Sequence, residues 1–379
     1  MNLLIHISLS MNAEEYLEKM VDFQKNIIDY LDGESDFHEV FKAIHFFQNN
    51  YTKNEIESVL QLIIKITNNH YRKPDFLTKI IQIIDQFKTF IQDNFSQSEI
   101  FQIFKSNKRI LLYFVEELIL QFDQSMINYI NENKYWNMSY IKYFLPEAKP
   151  FISKQLFDEI EEGIKDDEID LNTFKERRRI GENDEYICYL IRSDLIDEFI
   201  IYINKKNVSL SKEITHSIFE TDHFLMKSEN TSLIEYSAFF GSIQIFNFLR
   251  LNNVELKPSI WLYAIHGKNP DIIHFLEDNH IEPNDKTFFK CLKEAIKCHN
   301  NEIASYFINN GIIDENVEID ELFYKYHNYF FFDKDFNNAQ QTYFFIKYKY
   351  SFLSNNILKN HFNNEKIIHI KFFDKIFFH

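Results

Sequence analysis

Apolar residues recur at helical spacing along nearly the whole chain. From residue 12 to about 133 they mark successive amphipathic helices. The first carries Tyr16, Leu17, Met20, Val21, Phe23, Ile27, Ile28 and Leu31 on one stripe. Thr52-Lys-Asn-Glu55 and Ser96-Gln-Ser-Glu99 precede further apolar runs, and each reads as a capping box. Pro74 opens a pattern through Phe76, Leu77, Ile80, Ile84, Phe87 and Ile91, which predicts one continuous helix. Short connections predict antiparallel neighbours, hence a helical array or bundle over 12–145. A polar stretch at 146–180, with acidic residues and then Lys175-Glu-Arg-Arg-Arg179, reads as a domain junction. The arginine run reads as a solvated helix face in preference to a docking or nuclear-import patch.

Internal repetition decides the fold class of the second half. Ser237-Ala238-Phe-Phe-Gly241 aligns with Ala264-Ile265-His-Gly-Lys268 and Ala295-Ile296-Lys-Cys-His299. At a fixed offset each is followed by two apolar pairs: Ile245-Phe246 and Phe248-Leu249, Ile272-Ile273 and Phe275-Leu276, Ile303-Ala304 and Tyr306-Phe307. A weaker copy runs from Tyr189 to Asn207. Small residues are expected where the two helices of one repeat approach, and the apolar pairs where the second helix meets the next repeat. The whole reads as an all-α chain, an ankyrin-like helical repeat solenoid at 181–312 preceded by the amino-terminal array. An aromatic-rich region at 313–379 follows, with a capping helix pair read at 324–353.

Composition narrows the function. Of 379 residues, 41 are Lys or Arg and 57 Asp or Glu, a formal charge of −16 that disfavours phosphate backbones and anionic membranes. Only six glycines occur, so the chain has no Gly-rich phosphate loop. The 41 Phe and 21 Tyr follow helix periodicity and read as core. Three cysteines, Cys188, Cys291 and Cys298, give no disulfide framework and suit a reducing, intracellular and cytoplasmic setting. The first ten residues lack a basic region and a cleavage site, so they make a poor secretory signal, and Met11 is an alternative start. No apolar run reaches the length of a membrane span.

The chain resembles a lineage-expanded family of ankyrin-like proteins of unknown function found in parabasalid protists. Four segments carry the resemblance: Arg177-Arg-Arg-Ile-Gly-Glu-Asn-Asp-Glu-Tyr-Ile-Cys188, Ser217-Ile-Phe-Glu-Thr221, Leu233-Ile-Glu-Tyr-Ser-Ala-Phe-Phe-Gly-Ser242 and Trp261-Leu-Tyr-Ala-Ile-His-Gly-Lys-Asn-Pro270. It implies an ankyrin-type solenoid, a binding scaffold and no established activity. The ankyrin Thr-Pro-Leu-His corner is replaced by Ser232-Leu-Ile-Glu235 and Ser259-Ile-Trp-Leu262, so its usual hydrogen bonds are not expected.

No catalytic residue, cofactor or metal ligand set is read from the sequence; Cys291, Cys298 and His299 lack zinc-finger spacing, and His266, His274 and His280 are expected apart. The expected function is a non-catalytic scaffold whose repeat groove binds a protein, through Phe239, Phe240 and His266; the alternative for the two phenylalanines is packing on the loop from Ser228 to Thr231 or on the weaker upstream repeat. Net charge favours a partner with a basic segment. The alternative is an enzyme with an unrecognised site between the helical half and the repeats, which a cleft gathering His266, Cys298 or His299 with carboxylates would support.

Overall fold

The computed structural model describes residues 13–132, 137–165, 171–228, 230–314, 317–333, 339–350 and 353–354. The alternative start at Met11 and the tail at 359–379 lie outside them. The first helices in chain order are α1 (Ala13–Asp32), α2 (Phe37–Asn50), α3 (Lys53–Asn69), α4 (Phe76–Asp85), α5 (Lys88–Asn94), α6 (Gln97–Phe104) and α7 (Lys108–Glu116). Then come α8 (Gln124–Glu132), α9 (Asn137–Tyr143), α10 (Leu145–Ala148), α11 (Lys154–Lys165) and α12 (Leu171–Ile180). The repeats are the pairs α13 (Tyr186–Arg192) and α14 (Ile196–Lys206), α15 (Leu233–Phe239) and α16 (Ile243–Leu251), α17 (Ile260–Gly267) and α18 (Pro270–Asp278), α19 (Phe289–Lys297) and α20 (Asn301–Asn309). Two more helices follow, α21 (Asp320–Lys325) and α22 (Ala339–Lys347). Among the described residues there is no β-strand, only one isolated bridge between Glu213 and Ser232. The fold is all-α and built on repeated helix pairs.

The chain forms two compact units. One joins 1–62 to 318–379; the other is 63–317. In the first, the Gln24 side chain of α1 donates to the His327 carbonyl at 3.1 Å. Tyr324, Tyr329, Phe332, Phe345 and Tyr350 form an aromatic core there, and Tyr350 Oη donates to the Tyr324 carbonyl at 2.7 Å. These aromatic residues at 324–350 are thus packing, in keeping with their helical periodicity.

Local chemistry explains most helix ends. Ser96 and Glu99 complete their capping box, and the Glu55 carboxylate accepts from the Thr52 amide at 2.5 Å. The single helix expected from Pro74 is two. It ends at Asp85, where the amides of Gln86 and Phe87 take three-residue bonds to Ile83 and Ile84, and α5 restarts beyond.

The repeats have a common plan. A left-handed residue joins the two helices of each pair: Asp194, Gly241, Lys268 and His299, with φ of 47°, 63°, 49° and 58°. A second one follows each outer helix: Asn207, Asn253, His280 and Gly311. The turn carbonyls and amides are held across repeats. Asp194 carboxylate oxygens accept from the amides of Gln244 and Ile245, and the Asn269 side chain donates to the Gly241 carbonyl at 2.9 Å. The close approach runs between repeats, not within one as expected. A Cβ on Gly267 of α17 would lie 2.0 Å from the Ala238 carbonyl of α15.

The corner at 232–235 is rebuilt, not lost. Ser232 and Glu235 form a capping box, and the second Glu235 oxygen accepts from the Ser259 hydroxyl of the next repeat at 2.6 Å. Thr231 and Tyr263 hydroxyls pair at 3.1 Å between the same two repeats. One carboxylate therefore caps its own helix and ties it to its neighbour.

Candidate functional site

Twenty-three residues lie between Asn207 and Thr231, so an insertion follows the first repeat. It folds back over the ends of the inner helices. Its Phe224 ring stacks on Phe239 at 5.7 Å and tilts against His266 at 4.5 Å, while His266 stacks on Phe239 at 4.7 Å. Phe240 packs on Tyr236 and on Phe239. Relative exposures of Phe239, Phe240 and His266 are 2, 6 and 1 %. The three residues expected to face a partner are therefore core. They are buried because the insertion supplies an aromatic cover and the 70–72 segment lies against the same helix ends. There His70 Nδ1 donates to the Cys298 carbonyl at 3.0 Å and Tyr71 Oη to the Phe240 carbonyl at 3.2 Å.

Polar side chains from the helical half hold the insertion down. Arg72 Nη1 donates to Thr221 Oγ1 at 3.1 Å, and Arg72 Nε lies 3.4 Å from the Asp222 carboxylate. Glu220 accepts from the amides of Thr221, Asp222 and Asn183. Burial raises the Glu220 carboxyl above the usual carboxylate range, against the pull of the Arg72 charge. Lys108 Nζ donates to the Ile218 carbonyl at 2.8 Å. His223 Nε2 donates to the Ser106 carbonyl. Burial pushes Lys108 down to about 7 and His223 down to about 4, so the Lys108 ammonium is the costly member of the network and His223 donates as a neutral imidazole.

A second cluster lies where α17 meets α19. His266 Nε2 donates to Glu294 Oε1 at 2.7 Å, and Lys297 Nζ donates to the same oxygen at 2.6 Å. Cys298 Sγ lies 3.4 Å from His266 Nδ1, 3.5 Å from Nε2 and 4.0 Å from Glu294 Oε1. Burial raises the Glu294 carboxyl, but the Lys297 charge and the His266 hydrogen bond outweigh it and hold the group down to about 2. Burial, reinforced by the Glu294 charge, pushes the Cys298 thiol well up. The order thiol, imidazole, carboxylate is that of a nucleophile with its base and orienting acid. Here the sulfur is 1 % exposed and protonated, which is the opposite of an activated nucleophile. Two clefts of about 370 and 380 Å³ are lined by other residues. Sequence reasoning missed Glu294, because its partners lie 28 residues away and share no local pattern with it.

The exposed chemistry is on the first repeat. Tyr186 and Tyr189 of α13 are each 49 % exposed and stack at 6.0 Å, with Tyr202 of α14 edge-on to Tyr186 at 5.3 Å. Tyr186 Oη donates to the Glu198 carboxylate at 3.3 Å. Ile180 and Ile201 are also exposed. Tyr189 and Ile180 border the 370 Å³ cleft together with Arg72, Arg177 and Arg192. Those cations are balanced: Arg177 pairs with Asp184 at 2.5 Å and Arg192 with Glu182 at 2.8 Å. The arginine run is not one solvated face. Arg178 is buried and bidentate on Glu147 at 2.8 and 3.2 Å, while Arg179 pairs with Glu116.

With this geometry in hand, a family model described as a domain of unknown function (DUF3447) matches residues 251–334. The match starts at the end of α16, takes in the third and fourth helix pairs and continues through α21. No curated protein matches the chain, and no solved structure does. No helix among the described residues is long and apolar enough to cross a membrane.

Proposed function

We propose that the protein is a non-catalytic, ankyrin-like scaffold that binds a protein partner through the exposed tyrosine face of its first repeat. The observation that carries this reading is the Tyr186–Tyr189 stack, half exposed beside Glu198 and flanked by Ile180 and Ile201. Aromatic side chains with apolar neighbours are the composition of interface centres, and large rigid rings lose little entropy on binding. A stacked tyrosine pair with an adjacent carboxylate suits a lysine or arginine side chain, which gains both ring and charge contacts. The −16 charge of the chain favours the same class of partner, a protein with a basic segment, by long-range attraction. The resemblance to ankyrin-like proteins of parabasalids and the repeated helix pairs support a scaffold. A cytoplasmic setting accords with three free, buried cysteines.

The test is a Tyr186→Ser/Tyr189→Ser double variant. Both rings are exposed, so the helical melt should move by no more than about 1 kcal/mol in stability. A partner recovered from source-cell lysate with the wild type should be lost with the variant. Equal recovery by both proteins, with the variant folded, overturns the assignment of the face.

A further inference from the structure

We propose that His266, Glu294 and Cys298 form a binding site for a borderline divalent cation, zinc in preference to calcium or magnesium, which would staple α17 to α19. One imidazole, one carboxylate and one sulfur converge with their ligand atoms all within 4.8 Å of one another. The donor set is that of zinc, because sulfur and imidazole nitrogen select against the hard, oxygen-seeking cations.

The fold builds the site from both sides. Glu294 and Cys298 are four residues apart, one turn on α19 and its C-cap, so they share a face. His266 comes from the adjacent inner helix and is clamped by the rings of Phe224 and Phe239, which fix the plane of the imidazole. Metal bonds of about 2.3 Å to sulfur and about 2.1 Å to nitrogen and oxygen set tetrahedral edges of about 3.4–3.6 Å. One imidazole nitrogen ligates, and Nε2, which faces the Glu294 oxygen, already lies at that length from the sulfur, 3.5 Å. The 4.0 Å sulfur–oxygen edge must shorten and the 2.7 Å His266–Glu294 edge must lengthen as that hydrogen bond gives way to two metal bonds.

The cluster is also a place where a cation already sits. The Lys297 ammonium occupies the Glu294 oxygen at 2.6 Å, with its side chain still 19 % exposed. That exposure gives the ammonium a route to swing into solvent when a divalent cation takes the carboxylate. Binding then balances as follows. The Cys298 S–H bond breaks, the sulfur lone pair forms the metal–sulfur bond, and the proton leaves to water with no change of oxidation state. One thiolate and one carboxylate neutralise the two positive charges, and three protein ligands leave the fourth position open.

Titration of the full chain with Co²⁺, and then displacement by Zn²⁺, tests the site. The expected result is one equivalent of cobalt with visible d–d bands and a near-ultraviolet thiolate-to-cobalt band, both removed by zinc. Cys298→Ser should abolish the charge-transfer band, while a Cys188→Ser/Cys291→Ser double variant keeps it. Lys297→Gln removes the competing ammonium and should tighten cobalt binding about tenfold or more. That second variant keeps the test decisive if Cys298→Ser fails to fold. No stoichiometric thiolate band, a band that survives Cys298→Ser, or weaker binding by Lys297→Gln would each overturn the proposal.

Discussion

Lys108 shows how one residue in the insertion's anchor sets a pH response. Its ammonium is buried against the Ile218 carbonyl at 2.8 Å and the Ser139 hydroxyl at 3.3 Å, with the Tyr143 ring 5.0 Å away. Burial lowers it to about 7, whereas an unfolded lysine titrates near about 10.4. Between those values the unfolded chain binds more protons than the folded one. Stability therefore rises with pH across that window, by at most about 1.4 kcal/mol per pH unit from this group. Below about 7 both states are protonated and the penalty is fully present. Lys108→Met removes the titration, so urea unfolding followed by tryptophan fluorescence should show a flatter profile for the variant. The wild type should gain about 2 kcal/mol relative to it between pH 7.5 and 9. Parallel profiles would mean that Lys108 keeps its ordinary protonation in the fold.

Among the elements, the contact between inner helices α15 and α17 is the tightest and makes the sharpest demand on sequence. The ideal Cβ of Gly267 would meet the Ala238 oxygen at 2.0 Å, and that of Gly241, at φ +63°, would meet the Gly267 oxygen at 2.7 Å. Both obstacles are backbone, which cannot step aside as a side-chain tip can. Gly267→Ala must push the two repeats apart and should cost about 3 kcal/mol or more in a thermal or urea melt. Gly163→Ala is the matched control, since Gly163 lies inside α11 with nothing within 4 Å of its Cβ. It should gain about 0.5–1 kcal/mol from helix propensity alone. If both variants melt together with wild type, the backbone contact is absent.

These elements also show how far the chain could be read in advance. The aligned small residues at Ala238, Gly241, Ala264 and Gly267 revealed a close approach, because a small side chain reports that a Cβ is unwelcome. They did not say which backbone stands opposite, and the contact proved to cross repeats. The helix break at Gln86 and Phe87 was hidden for a related reason. Ile84, Phe87 and Ile91 are all buried, so the apolar stripe runs on through the break. Packing of Phe239 and Phe240 against a neighbouring segment was one of two readings open in the sequence, but their cover, Phe224, and the burial of His266 were illegible because the insertion lies outside the repeat pattern. His266 with Glu294 and Cys298 needed the stacking of two repeats to be known first.

On the scale of the whole molecule, sequence order and structural partnership diverge most. Periodicity identified α1 by its buried stripe, including Tyr16, Met20, Phe23 and Ile27, but gave no sign of what covers it. That partner is 303 residues away, where Gln24 bonds to the His327 carbonyl within the unit formed by the two ends of the chain. The αL turn at His327 repeats the turn geometry of the helix pairs, so a repeat-like turn serves in this unit too. A chain ending at Val317 removes the later half of that unit and uncovers the part of the α1 stripe that α2 does not reach, since Phe23 still packs on Phe47. Burying an aromatic or aliphatic side chain is worth about 1.5–3 kcal/mol, so losing the cover of several exceeds what a helix pair can bear. Hydrogen exchange should then show α1 and α2 losing protection while α13 to α20, in the 63–317 unit, keep theirs. Unchanged protection of α1 in the shortened chain would show that its stripe is covered by something other than the 318–354 region. Loss of protection throughout 63–317 would show that the two units do not fold independently.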